Sequence, residues 1–261
     1  DGDPAMYWWD VGVSLQDVKS YYQQVFRPDM TTIVVIGDVS AKQARAAITR
    51  YFGAWKAAGA RPKTDLPAVP PNRPSLAAVP DASRIQDEVV LAETIGVTRS
   101  HPDYYRLELG NRVLSGAFYA SRLYRDLREK AGLVYTVGSV VEAGKHRSLF
   151  RIVYGCDPPN VAKARAMVEK DLADMRTDPV TPEELKRAKI LLLRQIALSE
   201  ASTDAVAGRL LSLSLQDLPL DETRRAARRY RDMTAAQVRD AFKKWIRPAG
   251  FVQVTVGPNP Q

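Results

Sequence analysis

The stretch Ser14–Asp38, SLQDVKSYYQQVFRPDMTTIVVIGD, comes back without a gap as Thr234–Pro258, TAAQVRDAFKKWIRPAGFVQVTVGP, 220 positions further along. In this register Val18 meets Val238, Arg27-Pro28 meets Arg247-Pro248, Val34 meets Val254 and Gly37 meets Gly257. Each copy spells an amphipathic helix, an Arg-Pro joint and an apolar strand closed by Gly. Proline suits the joint because it lacks a backbone donor and turns the residue before it away from helix. A unit that recurs at a fixed offset predicts a recurring piece of structure. The second copy closes a domain that begins near Arg84. The first copy is therefore expected to close a like domain, with on the order of 140 residues of it upstream. Asp1, standing where an initiator Met would be, fits a trimmed or processed chain.

Working outward, the segment from Gly59 to Arg84 holds Pro62, Pro67, Pro70, Pro71, Pro74 and Pro80 with almost no apolar periodicity, and predicts an extended, semi-rigid linker. Before it the pattern predicts a helix over Leu15–Phe26 capped by Ser14, a strand over Thr31–Gly37 and a helix over Lys42–Trp55. After it come a strand (Gln86–Val97), a helix (Pro102–Leu114), a small-residue break at Ser115-Gly116-Ala117 and a helix over Tyr119–Lys130 that stops at Gly132. Strands over Tyr135–Glu142 and Arg147–Cys156 follow, joined like a hairpin through Ala143-Gly144-Lys145. Val161, Ala164, Val168, Leu172 and Met175 recur at helical spacing. Thr181 and Glu184 form a capping box with Pro182 at the first helical position, opening a long helix to Leu198. Helices over Thr203–Leu215, Asp221–Tyr230 and Ala235–Ile246 lead into a last strand, Phe251–Val256. Strands and helices fall in clusters rather than in strict alternation. The fold class this predicts is α+β: a two-layer sandwich of a mainly antiparallel sheet with helices on one face. The domains are expected at 1–58, the tail of a preceding homologous domain; 59–84, the linker; and 85–261, a complete domain.

At 261 residues, with 45% hydrophobic and 26% charged content, the chain has material for one large core or two linked ones. No run approaches the roughly 20 apolar residues of a membrane span. The lone Cys156 excludes an intrachain disulfide and lies on the Phe150, Ile152, Tyr154 side of an alternating strand, where it is expected buried as a small hydrophobe. The net charge of +8 concentrates at Arg224, Arg225, Arg228, Arg229 and Arg231. Only Tyr230 interleaves with them, so a solvated helix face accounts for the cluster better than a nucleic-acid surface.

The passage Leu114–Ser139, LSGAFYASRLYRDLREKAGLVYTVGS, resembles the signature segment in the C-terminal half of the pitrilysin/insulinase family of zinc metallopeptidases, which includes the mitochondrial processing peptidases. The likeness rests on Ser121-Arg122-Leu123, on Leu127-Arg128-Glu129-Lys130 and on Gly132-Leu133-Val134-Tyr135. It extends to Phe26-Arg27-Pro28-Asp29 running into Val35-Ile36-Gly37-Asp38, and to Thr181-Pro182-Glu183-Glu184-Leu185. The resemblance implies two homologous α+β domains in tandem, residues 85–261 being the C-terminal one, and leans towards a bacterial periplasmic setting.

The family's zinc site is similar to an inverted zincin motif, His-x-x-Glu-His, in which neighbouring helical turns aim two imidazoles at one ion. This chain has only His101 and His146, far apart in sequence and each explained as a turn or helix-start residue. No metal ligands are therefore expected here, and zinc is expected in a missing domain or a partner subunit. The resemblance instead puts the function on Arg128 and Tyr135. Arg128 ends a helix and Tyr135 opens the next strand, so both are expected on one rim of the sheet. A phenol there can donate to an oxyanion forming at a scissile carbonyl, and a guanidinium can fix a substrate carbonyl. Arg122 and Arg125 are expected to be solvated neighbours. The function implied is the zinc-free portion of a metalloendopeptidase, inactive alone, with a peptide or protein substrate and a zinc-bearing homologous domain or subunit as partners. A scaffold subunit of the same fold is the alternative, and nucleic-acid binding through the Arg224 helix a distant one.

Overall fold

The computed structural model describes residues 12–116 and 118–260. Asp1 and Ala117 lie outside them. The chain divides into two compact units, Asp1–Asp65 and Leu66–Gln261.

In the second unit a five-stranded sheet runs in the order β1-β5-β2-β4-β3. The strands are β1 (Ser75–Pro80), β2 (Asp87–Thr94), β3 (Thr136–Ala143), β4 (Ser148–Cys156) and β5 (Val252–Gly257). β1 pairs with β5 in parallel and every other pair is antiparallel. The alternation expected from the sequence is plain in β4, where Ser148, Phe150, Ile152, Tyr154 and Cys156 are all buried on one face. Cys156 is free and buried, and burial pushes its thiol up to about 11.

Helices α3 (Tyr104–Asn111), α4 (Val161–Thr177), α5 (Pro182–Leu198), α7 (Glu222–Asp232) and α8 (Ala235–Trp245) join the core with that face, and α6 (Thr203–Leu215) connects α5 to α7 without entering it. α4 buries Val161, Ala164, Val168, Leu172 and Met175, the residues its spacing singled out. α8 buries Val238, Ala241 and Phe242 against α3 and α4. The α3–α8 approach depends on Gly110, where a Cβ would overlap the Phe242 ring.

The expected linker does not hold as a linker throughout. Ser75–Pro80 is the parallel edge strand β1, and the stretch before it is tied to the same unit: Asn72 Nδ2 donates to Gly250 O (2.6 Å) and Arg147 Nε to Pro67 O (3.0 Å). Proline is tolerated there because an edge strand has one side free of ladder bonds. The ties come from residues 80 and 178 positions away in sequence, which a local pattern does not show.

The first unit contains α1 (Leu15–Val25) and α2 (Ala41–Phe52), both opened by capping boxes, Ser14 with Asp17 and Ser40 with Gln43. The expected strand Thr31–Gly37 is not formed. A strand needs a neighbour to satisfy its backbone, and no ladder partner occurs for it among the described residues. The sequence repeat is nonetheless a structural one. α1 and α8 begin and end at matching positions, and the 3₁₀ turns Pro28–Met30 and Pro248–Gly250 follow at the same interval.

Candidate functional site

The segment Leu114–Ser139 is built less regularly than its pattern suggests. Arg112–Gly116 and Tyr124–Lys130 are π-helical, and Phe118–Ala120 is a 3₁₀ turn. A π turn widens the backbone ladder by a residue and re-aims the side chains it carries, and such turns recur at functional sites. The helix expected over Tyr119–Lys130 is therefore broken. Its stop at Gly132 is as expected: Gly132 adopts φ +62°, its N–H donates to Arg128 O (3.2 Å) and the Leu133 N–H to Leu127 O (2.9 Å). Only glycine takes this conformation without strain.

Arg128 and Tyr135 stand on either side of that turn and both are exposed. The Arg128 guanidinium lies over the Tyr124 ring at 5.1 Å from its centroid, with no ion-pair partner among the described residues. Tyr124 is itself buried and meets the Tyr119 ring edge-on at 4.9 Å. The arginine thus rests on an aromatic seat that limits its rotamers while leaving its charge uncompensated. Tyr135 is placed by its backbone N–H, which donates to Gly155 O (2.8 Å), and by its hydroxyl, which donates to Asp157 Oδ2 (3.1 Å). The Asp157 carboxylate, as the acceptor of this bond, holds the phenol above its ordinary value. The helix carrying Arg128 packs against β3, the strand that begins just after Tyr135.

Asp157 was not visible from the motif. Continuing the hairpin register past Thr136 opposite Gly155 puts Cys156 opposite Tyr135, and Asp157 is the next residue along, one step off that pair. The expectation for Arg122 needs correcting. It is not a solvated surface residue but makes a two-pronged ion pair with Glu184, Nε to Oε1 and Nη2 to Oε2, both 2.8 Å. Because Glu184 is also the capping-box residue of α5, this pair ties the motif to the start of the long helix. Arg125 pairs with Asp126 (2.7 Å), which Lys130 also contacts, and these cations hold Asp126 at about 2. Asp171 on α4 is buried and raised to about 6 by desolvation and by the charge of Asp126.

The two histidines are engaged in local structure. His101 Nδ1 accepts the Asp103 N–H (3.0 Å) and its ring meets Trp245 edge-on, while His146 sits in the β3–β4 turn. Among the described residues no group of three His, Cys, Asp or Glu side chains could hold a metal ion. No helix of the described residues is long and apolar enough to cross a membrane.

Comparison with known proteins bears on the family and the fold. The family model described as the peptidase M16 inactive domain matches residues 12–192. An uncharacterised zinc protease of Bacillus subtilis is 23% identical over 192 residues, covering 74% of this chain and 45% of that protein. A second B. subtilis protein, named a probable inactive metalloprotease, is 24% identical over 192 residues, covering 70% and 42%. The chain thus spans less than half the length of these curated relatives. A crystal structure of a peptidase M16 inactive domain from Pseudomonas fluorescens superposes with a TM-score of 0.82 at 27% identity, over 95% of this chain and 58% of that one.

Proposed function

Because the chain belongs to the M16 peptidase family and carries its inactive domain, we propose that it grips and orients peptide substrate while zinc chemistry is supplied by a separate domain or subunit. The observation that carries this reading is the Arg128–Tyr135 arrangement. A guanidinium with no ion-pair partner among the described residues, seated on an aromatic ring, and a protonated phenol flank one glycine turn at an exposed edge. The guanidinium is suited to holding a peptide carbonyl. The phenol, released from Asp157, can donate to the oxygen on which charge builds as the peptide bond is attacked. Asp157 acts as a positioning residue: it aims the hydroxyl.

The first unit fits the same reading as the closing passage of a second, homologous domain. Its apolar residues, which have buried counterparts in the second copy, are exposed. Zinc would then belong to that domain or to a partner, since this chain's histidines are spent on local structure. The test is a cleavage assay with added zinc. The chain alone is expected to show no chelator-sensitive peptide hydrolysis, and to contribute to hydrolysis once combined with a zinc-bearing homologous domain. Chelator-sensitive cleavage by the chain alone would overturn the division of labour.

A further inference from the structure

A groove of about 620 Å³ lies between the π turn Tyr124–Lys130, α4 and the start of α5. Its lining is crowded with charge, and nearly every charge is matched. Arg122 holds Glu184 (2.8 Å), Arg125 and Lys130 share Asp126 (2.7 and 2.9 Å), and Lys170 holds Asp174 (2.7 Å). Asp178 is exposed and accepts from Thr177 Oγ1 (3.2 Å). Asp171, on α4, is the exception: it is 3% exposed, and its Oδ2 is buried without a hydrogen-bond donor.

A carboxylate taken out of water, left without a donor and set beside another carboxylate is more stable with a proton. Desolvation first and the charge of Asp126 second raise Asp171 to about 6, against the opposing pull of Lys170, Arg122 and Arg125. Asp126 does not compete for the proton, because Arg125 and Lys130 hold it at about 2. Helix α8 also packs on α4, with Arg239 kept by Asp240 (2.7 Å), Lys244 near Asp103 (3.6 Å) and Lys243 exposed. The turns Pro158–Asn160 and Pro248–Gly250, which touch α4 as well, hold no ionisable side chain. Asp171 thus belongs to one wall of the groove and Asp126 to the other, and Asp126 lies in the turn that carries Arg128. A π turn differs from an α turn by one residue in its ladder, which gives this wall a second arrangement close at hand.

We propose that Asp171 and Asp126 form a proton-operated joint between α4 and the π turn: uptake of one proton by Asp171 removes the repulsion across the groove, draws the turn onto α4 and resets Arg128 on its Tyr124 seat. The folded chain binds the extra proton between the ordinary value of 3.8 and about 6. The stabilisation it brings is therefore full below the first value and is lost as pH rises through the second. As a regulator of substrate grip the joint rests on the role proposed for Arg128; as a movement of the turn it does not, and the experiment reads the turn.

That experiment is an NMR titration of the full chain from about pH 5 to about pH 7.5, following the Asp171 carboxyl carbon and Arg128 Cζ. The two resonances are expected to move together with one midpoint near 6. Asp171→Asn keeps the shape and removes the titration, and should leave Arg128 Cζ flat. Asp126→Asn, with Asp171 intact, should lower the shared midpoint by removing the like charge, and it carries the test if Asp171→Asn does not fold. An Arg128 resonance that ignores Asp171, that titrates unchanged in Asp171→Asn, or a midpoint unmoved in Asp126→Asn would each overturn the joint. No substrate is present, so the result stands apart from whether Arg128 holds peptide.

Discussion

The two copies of the helix–Arg-Pro–strand unit share local chemistry and differ in what surrounds them. Both helices open with a complete capping box, Ser14 with Asp17 and Thr234 with Gln237. Both joints also carry the arginine of the Arg-Pro pair into hydrogen bonds. Arg247 donates its backbone N–H to the buried Glu93 (2.9 Å) and Nη2 to Thr94 O (3.2 Å), while Arg27 reaches Asp29 (2.8 Å) and the carbonyl of Ala58 (2.6 Å). Past that point they part. Val238 and Phe242 are fully buried, whereas their counterparts Val18 and Tyr22 are 53% and 58% exposed. β5 sits between two strands, whereas residues 31–36 pair with none among the described residues. Caps and turns are thus specified by a few adjacent residues, and the strand exists only where other chain supplies its neighbours.

The largest contrast is expected in the apolar face. Phe242→Ala should cost about 3–5 kcal/mol, the usual loss for an aromatic truncated in a packed core. Tyr22→Ala, at the equivalent place, should stay within about 0.5 kcal/mol, as exposed substitutions do. Denaturant unfolding measures the first, and hydrogen exchange in α1 the second. A Tyr22→Ala cost approaching that of Phe242→Ala would break the comparison. The same cost appearing only when a homologous upstream domain is attached would sharpen it.

A smaller effect should be shared by both copies. Thr234→Ala and Ser14→Ala each remove a cap acceptor and should each cost about 1 kcal/mol of local helix stability, read as faster amide exchange in the first turns of α8 and α1. Because a cap is satisfied within its own helix, the two values are expected to agree although the surroundings differ. A cost in α8 several times that in α1 would show that capping, too, depends on the finished domain.

The same division explains what could be read in the sequence. The start of α5 was legible because Thr181, Pro182 and Glu184 contain the whole device, and Gly132 because a left-handed residue has few alternatives. The β4 face was legible because its alternation is uninterrupted. β1 was hidden because nothing near Ser75–Pro80 announces that Val252–Gly257 will lie alongside it. The π turns were hidden because apolar spacing fixes a face but not the number of residues in a turn. In the site, Arg128 and Tyr135 were marked by the motif. Asp157 and the Arg122–Glu184 pair were not, because each depends on a partner brought in by strand register or by a helix 62 positions away.

The most direct test of a substrate-positioning role is the turnover of Tyr135→Phe, measured with the zinc-bearing domain or subunit present. Tyr135 is exposed and its backbone bond to Gly155 O survives the substitution, so the melting temperature should be unchanged while kcat falls by about 10²–10³, the usual consequence of losing one donor to a developing oxyanion. A kcat equal to that of the unaltered protein would contradict the account and leave Tyr135 and Asp157 a structural pair.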